Sequence, residues 1–328
     1  MPPTSSDCNI PVNTKLPLQE PYRTGSYLIY DYVPNDNAVE QPLGCPKITR
    51  THFREGSGIG LRASGSRQLD FQPYAEALMS VARKVKHGGT LYVADLRQES
   101  HVFFNESVPM DAIAYRAVSW YADMDWANVG QSEEWIRRDE ANQIATVLQR
   151  DTNTVQIFCV DQASKSAGRI VPTGYSEVTV TSAVSEEDIL KKMSLPCAVK
   201  YVRIPVPDHC KPKPAAAHRF FSLCKEIRAL PEEQTWVHFH CHGGDGRTTT
   251  FLAMYDMFCW ARAKKKPISV EEFSNRQWSL FCYCLDPNGC VNKDKKKICD
   301  ENTDWKCALA KERWHWLFEW HRLIFGPA

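Results

Sequence analysis

His240-Cys241-His242-Gly243-Gly244-Asp245-Gly246-Arg247-Thr248 places a cysteine six residues before an arginine, with three glycines between them. A β-prone run, Thr235 to His240, leads in, and a helix-like segment, Thr249 to Arg262, leads out. Strand, tight glycine loop and helix N-terminus together make an anion cradle. Backbone N–H groups point inward, the helix dipole favours negative charge, and Arg247 can grip two oxygens in a fork. The same field favours the thiolate of Cys241, and a thiolate is a nucleophile at neutral pH. Cradle plus thiolate reads as phosphate-ester hydrolysis through a phosphocysteine. The alternative, a small core cysteine, leaves the glycines unexplained, because packing does not need three of them in four positions. Thr248 sits where its hydroxyl reaches the sulfur.

Working outward, strands alternate with helices. Phe71–Val85 has helical spacing and stops at Gly88-Gly89, and Thr90–Leu96 is a continuous apolar strand suited to burial on both faces. Glu133–Leu148 reads as a helix, and Val155–Val160 and Ser176–Thr181 as short strands. Ser185–Met193 is a short helix with an acidic first turn, Val199–Val206 a strand and Ala215–Leu230 a helix. Ser269–Phe281 and Asp304–Phe325 complete the helices. The pattern predicts an α/β fold with a mainly parallel central sheet. Its expected parts are an extended arm over 1–46, a core over 47–149 and 183–328, and a small β subdomain over 150–182. The lysine run at 293–297 reads as a loop.

Composition bounds the function without choosing it. The 328 residues are 43% hydrophobic and 24% charged, with 40 basic against 39 acidic groups. No global charge therefore points to nucleic acid or a membrane surface, and positive charge for a polyanionic substrate must be local. No run of about 18 apolar residues suggests a membrane span. Met1 to Asp7 lacks the basic and apolar regions of a signal peptide, which leaves cytoplasmic, translocated and processed secreted locations open. Thirteen cysteines are many, and Cys282, Cys284, Cys290, Cys299 and Cys307 crowd one stretch. Free thiols are the first expectation for them and disulfides the second. A zinc site fits least, lacking paired Cys-x-x-Cys spacing.

His238, His240 and His242 alternate and so share a face. With no nearby carboxylate they read less as a metal site than as neighbours of the loop, His240 shaping it and favouring the thiolate. Ester cleavage also needs a proton for the departing oxygen. Asp208, in Val206-Pro207-Asp208-His209-Cys210-Lys211-Pro212, lies in a proline-rich loop at a strand's C-terminal end, where α/β proteins place ligands.

His-Cys-x-x-Gly-x-Gly-Arg-Thr resembles the signature of the protein-tyrosine-phosphatase superfamily. Further stretches resemble its cysteine-phytase branch, the inositol-hexakisphosphate phosphatases: Arg62–Ser66, Asp95–His101, Ser119–Tyr121 with Asp125–Asn128, Asp208-His209, Trp236–Arg247 and Trp305-Lys306. The likeness runs in order from about residue 48 to 325. It implies a phosphatase core carrying a small partial β-barrel, no cofactor, and best activity at mildly acidic pH. It also implies that Cys241 attacks phosphorus, Arg247 holds the equatorial oxygens, and Asp208 protonates the leaving oxygen. Substrate contacts would come from Arg54, Asp125, Lys165, His209, Lys211, Lys306 and Arg313, and from the loop residues His242, Gly243, Gly244, Asp245 and Gly246. The expected ligand is an inositol polyphosphate. A phosphotyrosine or phosphoinositide phosphatase, or a non-catalytic inositol-phosphate-binding module, are the alternatives. This chain departs from the branch in carrying Lys211-Pro212 where relatives have Trp-Pro, His242 at an acidic site, Asp245 at a small or apolar one, and Ala310 for a tyrosine.

Overall fold

The computed structural model describes residues 27–31, 51–106, 115–123, 126–149, 153–287 and 304–326. Asp125, the 293–297 lysine run and all of the 1–46 arm except 27–31 lie outside them. The first half of the chain forms β1 (Tyr27–Tyr30), β2 (Arg54–Glu55), β3 (Ala63–Arg67), α1 (Phe71–Ala82), β4 (Thr90–Arg97), β5 (His101–Glu106), β6 (Tyr115–Tyr121) and α2 (Glu133–Leu148). Then follow β7 (Thr154–Val160), α3 (Gln162–Ser166), β8 (Pro172–Val184), α4 (Glu186–Lys192), β9 (Ala198–Val206), α5 (Pro214–Arg228), β10 (Thr235–Cys241), α6 (Gly246–Arg262), α7 (Val270–Phe281) and α8 (Trp305–Phe325).

The chain divides into two compact units that interleave along the sequence. One holds an antiparallel sheet in the order β1-β6-β5-β8-β7. The segment 150–182 supplies β7 and most of β8, and the other three strands come from 27–121. The Tyr27 ring on one edge strand meets Phe158 on the other edge-to-face, 5.2 Å between centroids, so the sheet curls into a partial barrel. Its interior is apolar, with Val102, Phe104, Val118, Trp120, Val155, Ile157 and Val180 buried. Strand β1 is tied in by Asp31, whose buried carboxylate accepts hydrogen bonds from Ser119 and Tyr121 hydroxyls.

The second unit holds the sheet β2-β3-β10-β4-β9. Strands β3, β10, β4 and β9 run parallel, and only β2 is antiparallel. Every residue of β10 is buried, as expected of a central strand covered on both faces. Helix α6 is buried continuously from Arg247 to Phe258, so its apolar residues need no single stripe. Phe220 from α5, Phe239 from β10, Phe251 from α6 and Trp320 from α8 pack into one core. Burial of each such side chain contributes roughly 1.5–3 kcal/mol. α7 begins with a Ser269/Glu272 capping box, and α4 with Ser185 capping an acidic turn.

Cys159, Cys282, Cys284 and Cys307 are disulfide-bonded. Cys197, Cys210, Cys224, Cys241 and Cys259 are free. The expectation of free thiols in the 282–307 cluster is therefore corrected for its three described members, all of which are bonded.

Candidate active site

Strand β10 ends on Cys241, and the chain turns back into α6 within five residues. Gly244 makes the turn possible. Its φ is +77°, and a Cβ there would stand 2.5 Å from the Arg67 nitrogen of β3. The folded loop aims two donors at Cys241: the Gly244 N–H at 3.2 Å and the Thr248 hydroxyl at 3.1 Å from its Sγ. Two donors on one sulfur suit it as an anion.

Carbonyl groups of the loop are held by the segment before β3. Arg54 donates to Gly244 O at 2.5 Å, to His52 O at 3.2 Å and to the Thr249 hydroxyl at 2.9 Å. Its guanidinium lies 4.2 Å from the Phe281 ring centroid. Burial pulls Arg54 down to about 10, opposed by the neighbouring Asp245, Cys241 and Tyr283, so it stays charged through the neutral range. Gly65 lets this happen, since a Cβ there would stand 2.7 Å from the Thr248 methyl and 3.3 Å from Arg54 Cζ.

Arg247, buried in the first turn of α6, donates to Val206 O at 3.0 Å and lies with Nε 3.1 Å from Asp208 Oδ1. The arginine of the glycine loop and the expected acid are thus adjacent. Asp208 Oδ1 also accepts the His209 N–H at 2.9 Å. His209 has φ +62°, a conformation uncommon outside glycine, and its carbonyl is taken by Arg313 from α8. Arg313 in turn donates to the Tyr283 hydroxyl at 3.1 Å. The His209 ring packs edge-on to Trp305, 5.1 Å away, beside Lys306, whose Nζ is 5.4 Å from the same indole. Burial lowers His209 from the ordinary histidine value; Asp208 opposes that, and Lys306, Arg313 and Arg247 reinforce it. Burial raises the Tyr283 phenol, against the pull of Arg313.

The second unit therefore brings Cys241, Arg247, Thr248, Asp208, His209, Arg54, Lys306, Arg313 and the glycine loop together. Other expected residues sit differently. His240 is fully buried inside β10, its ring stacked on His238 at 6.2 Å. His238 contacts the Ser64 and Ser66 hydroxyls of β3 at 2.9 and 3.1 Å. His242 is half-buried where the loop begins. Lys211 lies 3.8 Å from Glu312, both exposed. Lys165 belongs to the other unit, over the Tyr121 ring at 4.7 Å. Asp245 is half-exposed and meets His52 Nδ1 at 3.1 Å. His52, Tyr283, Phe281 and Trp305 were not among the expected site residues. Only Trp305 had a sequence signal, its place beside Lys306.

A cysteine at the end of a central parallel strand, with an arginine-headed helix behind a glycine loop, defines the protein-tyrosine-phosphatase-like class. Residues 94–259, half of the chain, match the family model for PTP-like phytases, described by inositol hexakisphosphate. The chain belongs to the PTP-like phytase family. It is 31% identical over 176 residues to Effector protein hopD2 of Pseudomonas syringae pv. tomato, covering 53% of this chain and 33% of that protein. Paladin of Xenopus tropicalis is 37% identical over 60 residues, 18% of this chain and 7% of its own length. The chain thus spans a third or less of these curated relatives. Among solved structures, a PTP-like phytase from Bdellovibrio bacteriovorus is 29% identical, with TM-score 0.58, over 95% of this chain and 93% of that one. The tandemly repeated phytase of Mitsuokella multacida shares the fold at TM-score 0.61 and 22% identity, over 95% and 45%.

Proposed function

We propose that this chain hydrolyses phosphate monoesters of inositol polyphosphates through a phosphocysteine. The observation that carries the reading is the joint placement of Cys241 Sγ under two donors and of Asp208 against Arg247. The Cys241 thiolate attacks phosphorus, and the P–O bond to the inositol carbon's oxygen breaks. Asp208, protonated at this stage, gives its proton to that oxygen. Water then attacks the phosphocysteine, Asp208 takes one of its protons, and the P–S bond breaks to release inorganic phosphate and the thiolate. Arg247 and the loop N–H groups hold the equatorial oxygens in both steps. The acid must start protonated while the sulfur is ionised, which favours mildly acidic conditions.

Family membership and the Bdellovibrio phytase, similar along nearly the whole of both chains, support inositol polyphosphate as substrate class. So does the local charge: Arg54, Arg313, Lys306 and Arg247 gather in one unit of a protein whose net charge is +1. The test is phosphate release from myo-inositol hexakisphosphate and from a phosphotyrosine peptide. We expect Cys241→Ser to lower release by about three orders of magnitude. Asp208→Asn should lower kcat about a hundredfold with little change in KM. Turnover retained in Cys241→Ser would refute the mechanism, and preference for the peptide would refute the substrate class.

A further inference from the structure

Asp245 is the anomaly of this loop: a carboxylate placed among groups that otherwise attract anions. Its Oδ1 lies 3.1 Å from His52 Nδ1, and the same nitrogen lies 2.9 Å from Gly243 O. Neither partner can donate, since a carbonyl and an ionised carboxylate only accept. The proton must therefore sit on Nδ1, which donates to both. His52 is braced for this task. Its φ of +49° is uncommon outside glycine, its carbonyl accepts from Arg54, and Thr51 O accepts the Arg67 N–H at 3.1 Å. The His52 ring packs at 5.1 Å on Phe281, the ring that also carries the Arg54 guanidinium. Two successive loop carbonyls, Gly243 O and Gly244 O, are thus taken by His52 and Arg54, while the Gly244 N–H turns to the sulfur.

We propose that His52 is a positioning residue of the phosphate loop, holding the Asp245 carboxylate and the Gly243 carbonyl so that neither opposes a bound phosphate. The pair is how this chain keeps a negatively charged residue in a polyanion cradle. The proposal rests on the reading of the loop as a phosphate site, and the experiment separates the two. Binding of inorganic phosphate and of myo-inositol hexakisphosphate is measured by calorimetry on chains that all carry Cys241→Ser, so that neither ligand is turned over.

His52→Asn keeps a donor where Nδ1 stands, and His52→Gln moves it outward to where Nε2 stands. Asparagine suits the left-handed backbone of residue 52 better than glutamine does, so thermal melts of each check folding and the Asp245→Asn background separates the donor's effect from the backbone's. We expect His52→Gln to weaken inorganic phosphate binding about tenfold and His52→Asn less than about threefold. In an Asp245→Asn background the Gln loss should shrink to about threefold, because the charge to be held is gone. Equal losses in the Gln and Asn variants, or an undiminished loss beside Asp245→Asn, would overturn the proposal. If inorganic phosphate follows the expected pattern but the inositol phosphate binds no chain, His52 keeps its role and the substrate class falls. If the inositol phosphate binds tightly without the pattern, the substrate class stands and His52's role falls.

Discussion

Gly244 shows how one missing side chain makes the setting of Cys241. Its left-handed φ and its approach to the Arg67 and Ser66 backbone are separate demands, and both exclude a Cβ. Gly88 has nearly the same φ, +79°, with open space where a Cβ would stand. Gly88→Ala should therefore cost only the backbone term, about 1–2 kcal/mol. Gly244→Ala adds a backbone collision and should cost more, with a large fall in kcat; matching melting temperatures for the two variants would contradict this. At this scale the sequence was most informative where the chemistry is local. Cys241, Arg247, Thr248 and the glycines lie within eight residues, and Asp208 could be found by its proline-rich loop. His52 and Tyr283 were illegible because their meaning depends on partners roughly 190 and 30 residues away, Asp245 and Arg313.

Among elements, the acid loop between β9 and α5 is held by a chain of contacts rather than by its own sequence: Asp208 by Arg247 and His209 N–H, His209 by Arg313 and Trp305. Lys211 reaches Glu312 on α8, so this loop meets α8 at Trp305, Arg313 and Glu312. A pH effect follows from His209. Its folded value lies below the ordinary 6.5, so as pH falls through 6.5 the unfolded chain takes up the proton before the folded one. The stability present above 6.5 is then lost progressively on acidification. His209→Gln should flatten that decline between about pH 7 and 5 in urea unfolding, and parallel curves would show that His209 contributes nothing to it. The long apolar strands and amphipathic helices of this unit were readable from periodicity. β3 was not: Ala-Ser-Gly-Ser-Arg has no apolar alternation, and it is a strand because Ser64 and Ser66 serve His238 and Gly65 makes room for α6. β1, β5 and β6 were likewise missed, so the antiparallel sheet was anticipated only from β7 and part of β8.

Over the whole molecule, both units hold bonded cysteines among the described residues. Cys159 is bonded in one, and Cys282, Cys284 and Cys307 in the other, the last two flanking the segment between α7 and α8. Alkylation of the unreduced, denatured chain should label Cys197, Cys210, Cys224, Cys241 and Cys259 and spare those four; reduction should then lower the melting temperature, each lost bridge costing about 2–5 kcal/mol. Labelling of Cys282, Cys284 or Cys307 before reduction would refute the linkage. The position of β10 has a further consequence, in time rather than space. β10, the strand that ends on Cys241, lies between β3 and β4, so it registers Val237 against Ala63 and Tyr92. Arg54 closes on the loop from farther still, 190 residues before Gly244, and Arg313 comes from α8 to the His209 carbonyl. Contacts this non-local are slow to form. During synthesis a ribosome can have finished most of the sheet while the sulfur still has no site around it. α8, which supplies Arg313 and Lys306, is made after every strand of that sheet, so the proposed substrate pocket is complete only once this helix has docked.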